Sequence, residues 1–291
     1  MFKHILFASD LSIASDHVAQ CLAGLKTLGG EKVTLFHALG VRHLDSMRPL
    51  LVQSVEPKLV EQRKLIEQQG FDVEVGIATG LPISEITQAA VRRQVSAIVI
   101  GSHGHSLSRE VLLGGVASGV VHHASVPVLV IEIRIVEAEG GSRCEEVCHD
   151  FCERVLFATD FSDTSERAFG CVEKLVERGA KNIALVHVQD QTCIEPHVKD
   201  RLDEFNEIDR CRLERMKARL EELGATNVQC QLPYGSPLQE ILSVAKQFDP
   251  TLIVMGSQGR GFIPEVFLGS VSHHVVRHAT TPVLLVPALR E

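Results

Sequence analysis

Tryptophan is absent and tyrosine occurs once in 291 residues, so the aromatic platforms on which single-stranded nucleic acid stacks are in short supply. No Lys/Arg block stands out either: 29 basic against 37 acidic residues leave a formal charge of -8, a poor match to a polyanionic partner. No nucleic acid is therefore expected as a partner. No run approaches the roughly 20 apolar residues that a membrane helix requires, so no membrane partner is expected. The segment from Phe2 turns acidic at Asp10 after about six apolar positions, too short for the apolar core of a secretory signal. The chain is accordingly expected to stay in the cytoplasm. Eight cysteines in such a chain read as reduced thiols rather than a disulfide framework.

Several catalytic signatures are missing as well. There is no Gly-x4-Gly-Lys-Ser/Thr loop, no His-Glu-x2-His helix, and no Ser-His-Asp order around a nucleophile elbow. A dedicated hydrolase is not announced. Ordinary hydrophobic (45%) and charged (23%) contents instead describe a folded chain long enough for two cores.

What is present is a repeat. Phe7-Ala8-Ser9-Asp10-Leu11-Ser12 recurs 150 positions later as Phe157-Ala158-Thr159-Asp160-Phe161-Ser162, and Val33 to His37 recurs as Ile183 to His187. Gly80, Gly101 and Pro127 then match Gly235, Gly256 and Pro282 at an offset of 155. The second copy thus carries a net five-residue insertion between His187 and Gly235. The implied domains are 1–136 and 153–291, joined by a linker over 137–152 whose Glu137-Ala138-Glu139-Gly140-Gly141-Ser142 is costly to bury.

Each copy alternates strand and helix. In the first, strand runs at about 3–9, 32–37, 71–77, 97–100 and 126–131 are separated by helical stretches from Ser12, over about 55–69, from Pro82, and over about 115–124. The second copy has a longer charged helix at about 199–223. Ser12 and Ser162 are expected to be helix N-caps. Alternation of this kind predicts two doubly wound, five-stranded, mainly parallel α/β sheets of flavodoxin-like order, with ligands beyond the carboxyl ends where strand order reverses.

The loops there carry the chemistry. After the run Thr251 to Met255 comes Gly256-Ser257-Gln258-Gly259-Arg260-Gly261, and nine residues separate Gly259 from Gly269-Ser270, which opens a helix through Val271-Ser272. Glycines aim backbone N–H groups at an anion and permit its close approach, and a helix N-terminus adds partial positive charge. Ser270 and Ser272 are candidate hydroxyl donors to phosphate. The bland alternative is a tight strand-to-helix turn.

The pattern Gly256-x2-Gly259-x9-Gly269-Ser270, with Asp160 after the first strand and Thr281-Pro282-Val283 opening the last, resembles the universal stress protein family in tandem form, twice over nearly the whole chain. That resemblance implies a HUP-like fold, akin to adenine nucleotide alpha hydrolases, and ATP or AMP as ligand, with magnesium accompanying a triphosphate. It places Thr159, Asp160, His187 and Val188 along adenine and ribose. Met255, Gly256, Gly259, Arg260, Gly269, Ser270, Val271 and Ser272 fall along ribose and phosphates. In the first copy Ser9, Asp10, Gly101, Gly104, Gly114 and Gly115 take the matching positions, but Gly115 replaces Ser270 and Ala117 replaces Ser272. His105 stands where the second copy has Arg260, so charge there depends on pH.

Cys144, Cys148 and Cys152 would share one helix face at spacings of four. They span roughly 12 Å and cannot all reach one ion, although two of them with Cys193 and His197 form a conceivable zinc set. An apolar docking face is the simpler reading. The function implied is a stress-response regulator binding adenylate mainly in the C-terminal domain, with a slow ATPase or a ligand-free dimerising interaction module as alternatives. The two domains are expected to pack as a pseudo-dimer through 126–131 and 283–286, since bare apolar edges invite pairing, and the chain to form a homodimer.

Overall fold

The structure, a computed structural model, describes residues 2–40, 48–102, 113–132, 134–138, 141–145, 150–194, 202–259 and 268–289. The chain divides into two compact units, Met1–His149 and Asp150–Glu291.

In the first unit β1 (His4–Ala8) leads to α1 (Ile13–Cys21) and a short α2 (Ala23–Thr27), followed by β2 (Lys32–Leu39) and α3 (Arg48–Glu67). Next come β3 (Asp72–Thr79), α4 (Pro82–Arg92), β4 (Ala97–Gly101), α5 (Gly115–His123) and β5 (Val128–Ile131). The strands lie in the order β3-β2-β1-β4-β5, every pairing parallel. Strand order therefore reverses between β1 and β4. Ile5, Leu6, Phe7, Ile98 and Val99 are wholly buried, as strands covered on both faces require.

Local chemistry sets the helix ends. Ser12 caps α1, its hydroxyl accepting from the N–H of Ser15 at 3.2 Å. Pro82 opens α4, where the missing N–H costs nothing, and Glu85 sits in the first turn. Gly80 precedes it at φ +153, and a Cβ there would lie 2.7 Å from a Glu85 carboxylate oxygen. Gly235 repeats this at φ +157 against Glu240, so the glycine shared by both copies makes room for a first-turn glutamate. α3 begins earlier than the charge pattern suggests and runs through Pro57. That proline is exposed, so the carbonyl that loses its partner faces water.

In the second unit β8 (Arg154–Ala158), α6 (Asp163–Glu177) and β9 (Asn182–Val186) repeat the opening. Then come β10 (Gln189–Asp190), α7 (Gln191–Ile194), α8 (Leu202–Glu222), β11 (Asn227–Gln231) and β12 (Tyr234–Gly235). The unit closes with α9 (Pro237–Phe248), β13 (Leu252–Gly256), α10 (Ser270–His278) and β14 (Val283–Val286). The order β11-β9-β8-β13-β14 is again all parallel, reversing between β8 and β13. A separate two-residue ladder joins β10 to β12.

Three expectations are corrected between and around these units. The stretch read as a linker contains an antiparallel hairpin, β6 (Arg134–Ala138) with β7 (Gly141–Glu145), because backbone pairing satisfies the amide groups that a free linker leaves to water. Cys144 therefore lies in a strand, not on a helix shared with Cys152, which is buried before β8; Cys148 and His197 lie outside the described residues. Cys21 is disulfide-bonded, so the chain is not wholly reduced thiol: folding sets distances that spacing along the chain does not reveal. Among the described cysteines, Cys152, Cys171, Cys211 and Cys230 carry free thiols. Among the described residues no group of three or more His, Cys, Asp or Glu could hold a metal ion, and no helix is long and apolar enough to cross a membrane.

Two measurements check this architecture. α6 buries Ala168, Cys171, Val172, Leu175 and Val176 at helical spacing, and Leu175→Ala is expected to cost about 2–5 kcal/mol in urea unfolding. A loss below about 1 kcal/mol would show that this face is not core. Burial pushes the Cys152 and Cys230 thiols up to about 11 and raises Cys171 as well, whereas Cys211 is exposed. Alkylation at neutral pH, mapped by peptide mass spectrometry, is expected to label Cys211 first and Cys152 and Cys171 only on unfolding.

Candidate functional site

Each unit turns out of its first strand in the same way. In the second, Oδ1 of Asp160 accepts from the N–H of Ser162 at 3.1 Å and from its hydroxyl at 2.6 Å, while Phe161 donates its N–H to the Thr159 hydroxyl at 3.0 Å. The turn holds Phe161 at φ +57, a left-handed conformation that a large side chain adopts only under constraint. The first unit copies it. Leu11 sits at φ +63, and Oδ1 of Asp10 accepts from the N–H and hydroxyl of Ser12 and from the hydroxyl of Ser15. Both aspartates thus do what an Asp after a strand does in a turn, and each carboxylate also stands at the point of strand reversal.

Across that point lies the glycine loop. A Cβ on Gly259 would lie 2.6 Å from Oδ2 of Asp160, and one on Gly256 would meet Thr164 at 3.0 Å. A side chain at Gly259 would have to displace the Asp160 carboxylate, and one at Gly256 would press on Thr164. Gly269 returns to the loop, its N–H donating to Ser257 O at 2.8 Å, and serves as N-cap of α10 without a side-chain cap bond. The first turn of α10 therefore begins with backbone N–H groups that no capping side chain occupies. Ser270 is exposed at this end. Ser272 differs from the simple donor expected: it is buried, and its hydroxyl donates to Gly256 O at 2.8 Å, tying helix to strand. Met255 and Val188 are buried at the adjoining chain ends, and Val271 is half-buried beside Ser270. Arg260 lies outside the described residues.

His187 is buried behind the turn. Its Nδ1 donates to Thr159 O at 2.8 Å, which leaves Nε2 facing Asp209 Oδ2 at 3.5 Å. Asp209, on α8, also accepts from Gln189 Nε2 at 2.8 Å and pairs with Arg212 Nη1 at 3.2 Å. The guanidinium of Arg212 stands 5.2 Å from the Phe161 ring centroid, and Phe161 packs on His187 at 4.5 Å between centroids. Gln189, Asp209 and Arg212 were not singled out from the sequence. Asp209 precedes the buried Leu213 by one helical turn, a spacing that marks a carboxylate on the inward face of a highly charged helix.

The first unit keeps part of this arrangement. His37 Nδ1 donates to Ser9 O at 2.9 Å, but here Ser9 donates to Gln62 Oε1 at 2.6 Å and Gln62 Nε2 to Asp16 at 2.6 Å. Around Asp10, Gly101, Gly114 and Gly115 a cavity of about 380 Å3 opens between strand ends and α5, lined also by Ile86 and Ala117. Gly104 and His105 lie outside the described residues.

A protein-family model described as "Universal stress protein family" matches residues 1–132 and 152–287. The chain belongs to the universal stress protein family. A universal stress protein of Mycolicibacterium smegmatis is 29% identical over 294 residues, covering 97% of this chain and 96% of that protein. Another, of Thermus aquaticus, is 38% identical over 138 residues, 45% of this chain and 96% of its own length. Such a relative is one repeat long. The crystal structure of a universal stress protein from Archaeoglobus fulgidus superposes with a TM-score of 0.74 at 27% identity, over 98% of this chain and 96% of that one. This member of the family carries the doubly wound α/β fold in both copies.

The buried Asp209 cluster yields a stability test. Asp209→Ala strands the amide of Gln189 and is expected to cost about 1–3 kcal/mol in urea unfolding, with Asp209→Asn recovering part of it. An unchanged midpoint in the alanine variant would mean that the cluster contributes nothing to stability.

Proposed function

We propose that this universal stress protein binds an adenine nucleotide, ATP or AMP, in its C-terminal unit and acts in the cytoplasm as a stress-response regulator whose occupancy biases its partners. One observation carries the reading: at the strand reversal, Gly259 leaves no room for a side chain against Asp160, so the ligand would meet bare main chain. Phosphates would have a natural seat at the N-terminus of α10, where the N-cap glycine makes no side-chain cap bond and the helix dipole favours an anion. Ser270 adds an exposed hydroxyl there. Asp160, already anchored through Oδ1, would face the ribose through its other oxygen, and Thr159, His187 and Val188 would border the base. Arg260 would supply charge to the phosphates, with Gly256, Gly269, Val271 and Ser272 shaping their seat beside Met255. Magnesium would accompany a triphosphate.

The test is titration calorimetry of the full chain with ATP and AMP, preceded by mass spectrometry of small molecules released on denaturation. Gly269→Val is the informative variant. Its φ of -66 suits valine, and a Cβ there makes only ordinary contacts of 3.5 Å and more, so the fold should survive. The added bulk sits where phosphate would approach. The variant is expected to keep its unfolding midpoint and lose at least tenfold in ATP affinity. Ser270→Ala removes one hydrogen bond to a charged group, worth about 1.5–3 kcal/mol, and is expected to weaken ATP by about tenfold or more. No adenylate among the released molecules together with no heat on titration would end the proposal.

A further inference from the structure

We infer that the disulfide partner of Cys21 is Cys144, and that this bond is a reducible latch holding the hairpin of β6 and β7 on α1. The inference is independent of the adenylate reading, since no residue proposed to meet nucleotide takes part in it.

Elimination and packing together give the partner. Of the eight cysteines, Cys152, Cys171, Cys211 and Cys230 are free thiols, which leaves Cys144, Cys148 and Cys193 for Cys21. Cys21 is the last residue of α1, and α1 packs on α2, α3, β4 and β7. Of these four elements β7 is the one that carries a cysteine, Cys144, which pairs with Ile135 across the hairpin. α1 and β7 belong to the same compact unit, whereas Cys193 lies in the other. A disulfide needs Cα atoms within roughly 4.4–6.8 Å, so an element already packed on the helix is where its partner must stand.

The second copy shows the same helix position without the bond. Cys171 stands 150 positions after Cys21, on α6, and is a buried free thiol. The position thus accommodates a thiol in the core, and the helix packed against β7 is the one that adds a disulfide to it.

Closure carries a cost that the bond offsets. His17, one turn before Cys21, and Gln20, three residues after His17, share a side of α1. Nδ1 of His17 and Oε1 of Gln20 are buried with no hydrogen-bond partner among the described residues. Polar atoms buried in that way favour exposure to water. A covalent bond on the same helix opposes that tendency, and cutting it lets the hairpin lift. The latch closes on the far end of the helix whose first turn holds Asp10 through Ser12 and Ser15.

The cutting step is thiol–disulfide exchange with a dithiol. Cys21 is 4% exposed, so the attacking thiolate takes the Cys144 sulfur, the S–S electron pair goes to the Cys21 sulfur, and Cys21 is protonated. The second thiol of the reductant, as its thiolate, then displaces Cys144, which takes up a proton in turn. Two cysteine thiols remain, and the dithiol is oxidised to its own disulfide.

Peptide mapping of the unreduced full chain by mass spectrometry is expected to show Cys21 linked to Cys144. Hydrogen exchange is then read under native conditions with and without dithiothreitol. Amides of 134–138 and 141–145 are expected to exchange at least tenfold faster after reduction, with those of β1 unchanged, and to slow again on reoxidation with oxidised glutathione. Cys144→Ser leaves Cys21 as a buried thiol like Cys171. It is expected to show the fast exchange without reductant, to be indifferent to dithiothreitol, and to keep β1 protected. Cys21 linked to another cysteine, or alkylated as a free thiol in the unreduced chain, would overturn the inference. So would a bond that dithiothreitol cuts only after unfolding, or hairpin amides that exchange equally in the reduced and oxidised protein.

Discussion

In both copies one carboxylate oxygen, just past the first strand, gathers the hydrogen bonds on which the turn depends. Oδ1 of Asp160 takes two donors from Ser162, and Oδ1 of Asp10 takes two from Ser12 and one from Ser15. Those bonds hold the following residue in a left-handed conformation against its own sterics and start the next helix under a serine cap. The same aspartate is left facing the gap that opens where strand order reverses. Fold and candidate site are thus coupled through a single side chain, and in the second copy Gly259 is bare where the Asp160 carboxylate already occupies the space a Cβ would need.

From this shared frame the copies diverge in the polar side chains packed around the turn. In the C-terminal unit α8 supplies Asp209, which joins His187, Gln189 and Arg212 and brings a guanidinium over Phe161. In the N-terminal unit α3 supplies the neutral Gln62, and the carboxylate comes from Asp16 on α1. A buried network with every member partnered rigidifies its surroundings. The two copies therefore carry equivalent strand ends with different hydrogen-bonded partners around them.

Strands, helices and their order were legible because apolar periodicity is a local property of the chain, and the repeat doubled the signal for each element. Gly256, Gly259 and Gly269 were legible as a loop because glycine has few reasons to recur at such spacing. The hydroxyl of Ser272, read from the sequence as a candidate donor to phosphate, was not legible in its bonding: a serine two residues past a helix start can face outward or inward, and only packing turned its hydroxyl onto Gly256 O. Asp209 escaped because a charged residue in a charged helix looks solvated until its neighbours are known. The linker escaped for the converse reason, since polar, glycine-containing stretches pair as hairpins when a partner strand is at hand.

By itself the sequence determined the repeat, the parallel α/β class and the positions where backbone must be free of side chains, since each follows from residue type and spacing along the chain. Only tertiary structure decided that Cys21 forms a disulfide, that Cys144 sits in a strand, and that His187 faces the carboxylate of Asp209 on α8. Those contacts join residues whose separation in sequence says nothing of their distance in space. They exist because burying the sheets brought them together.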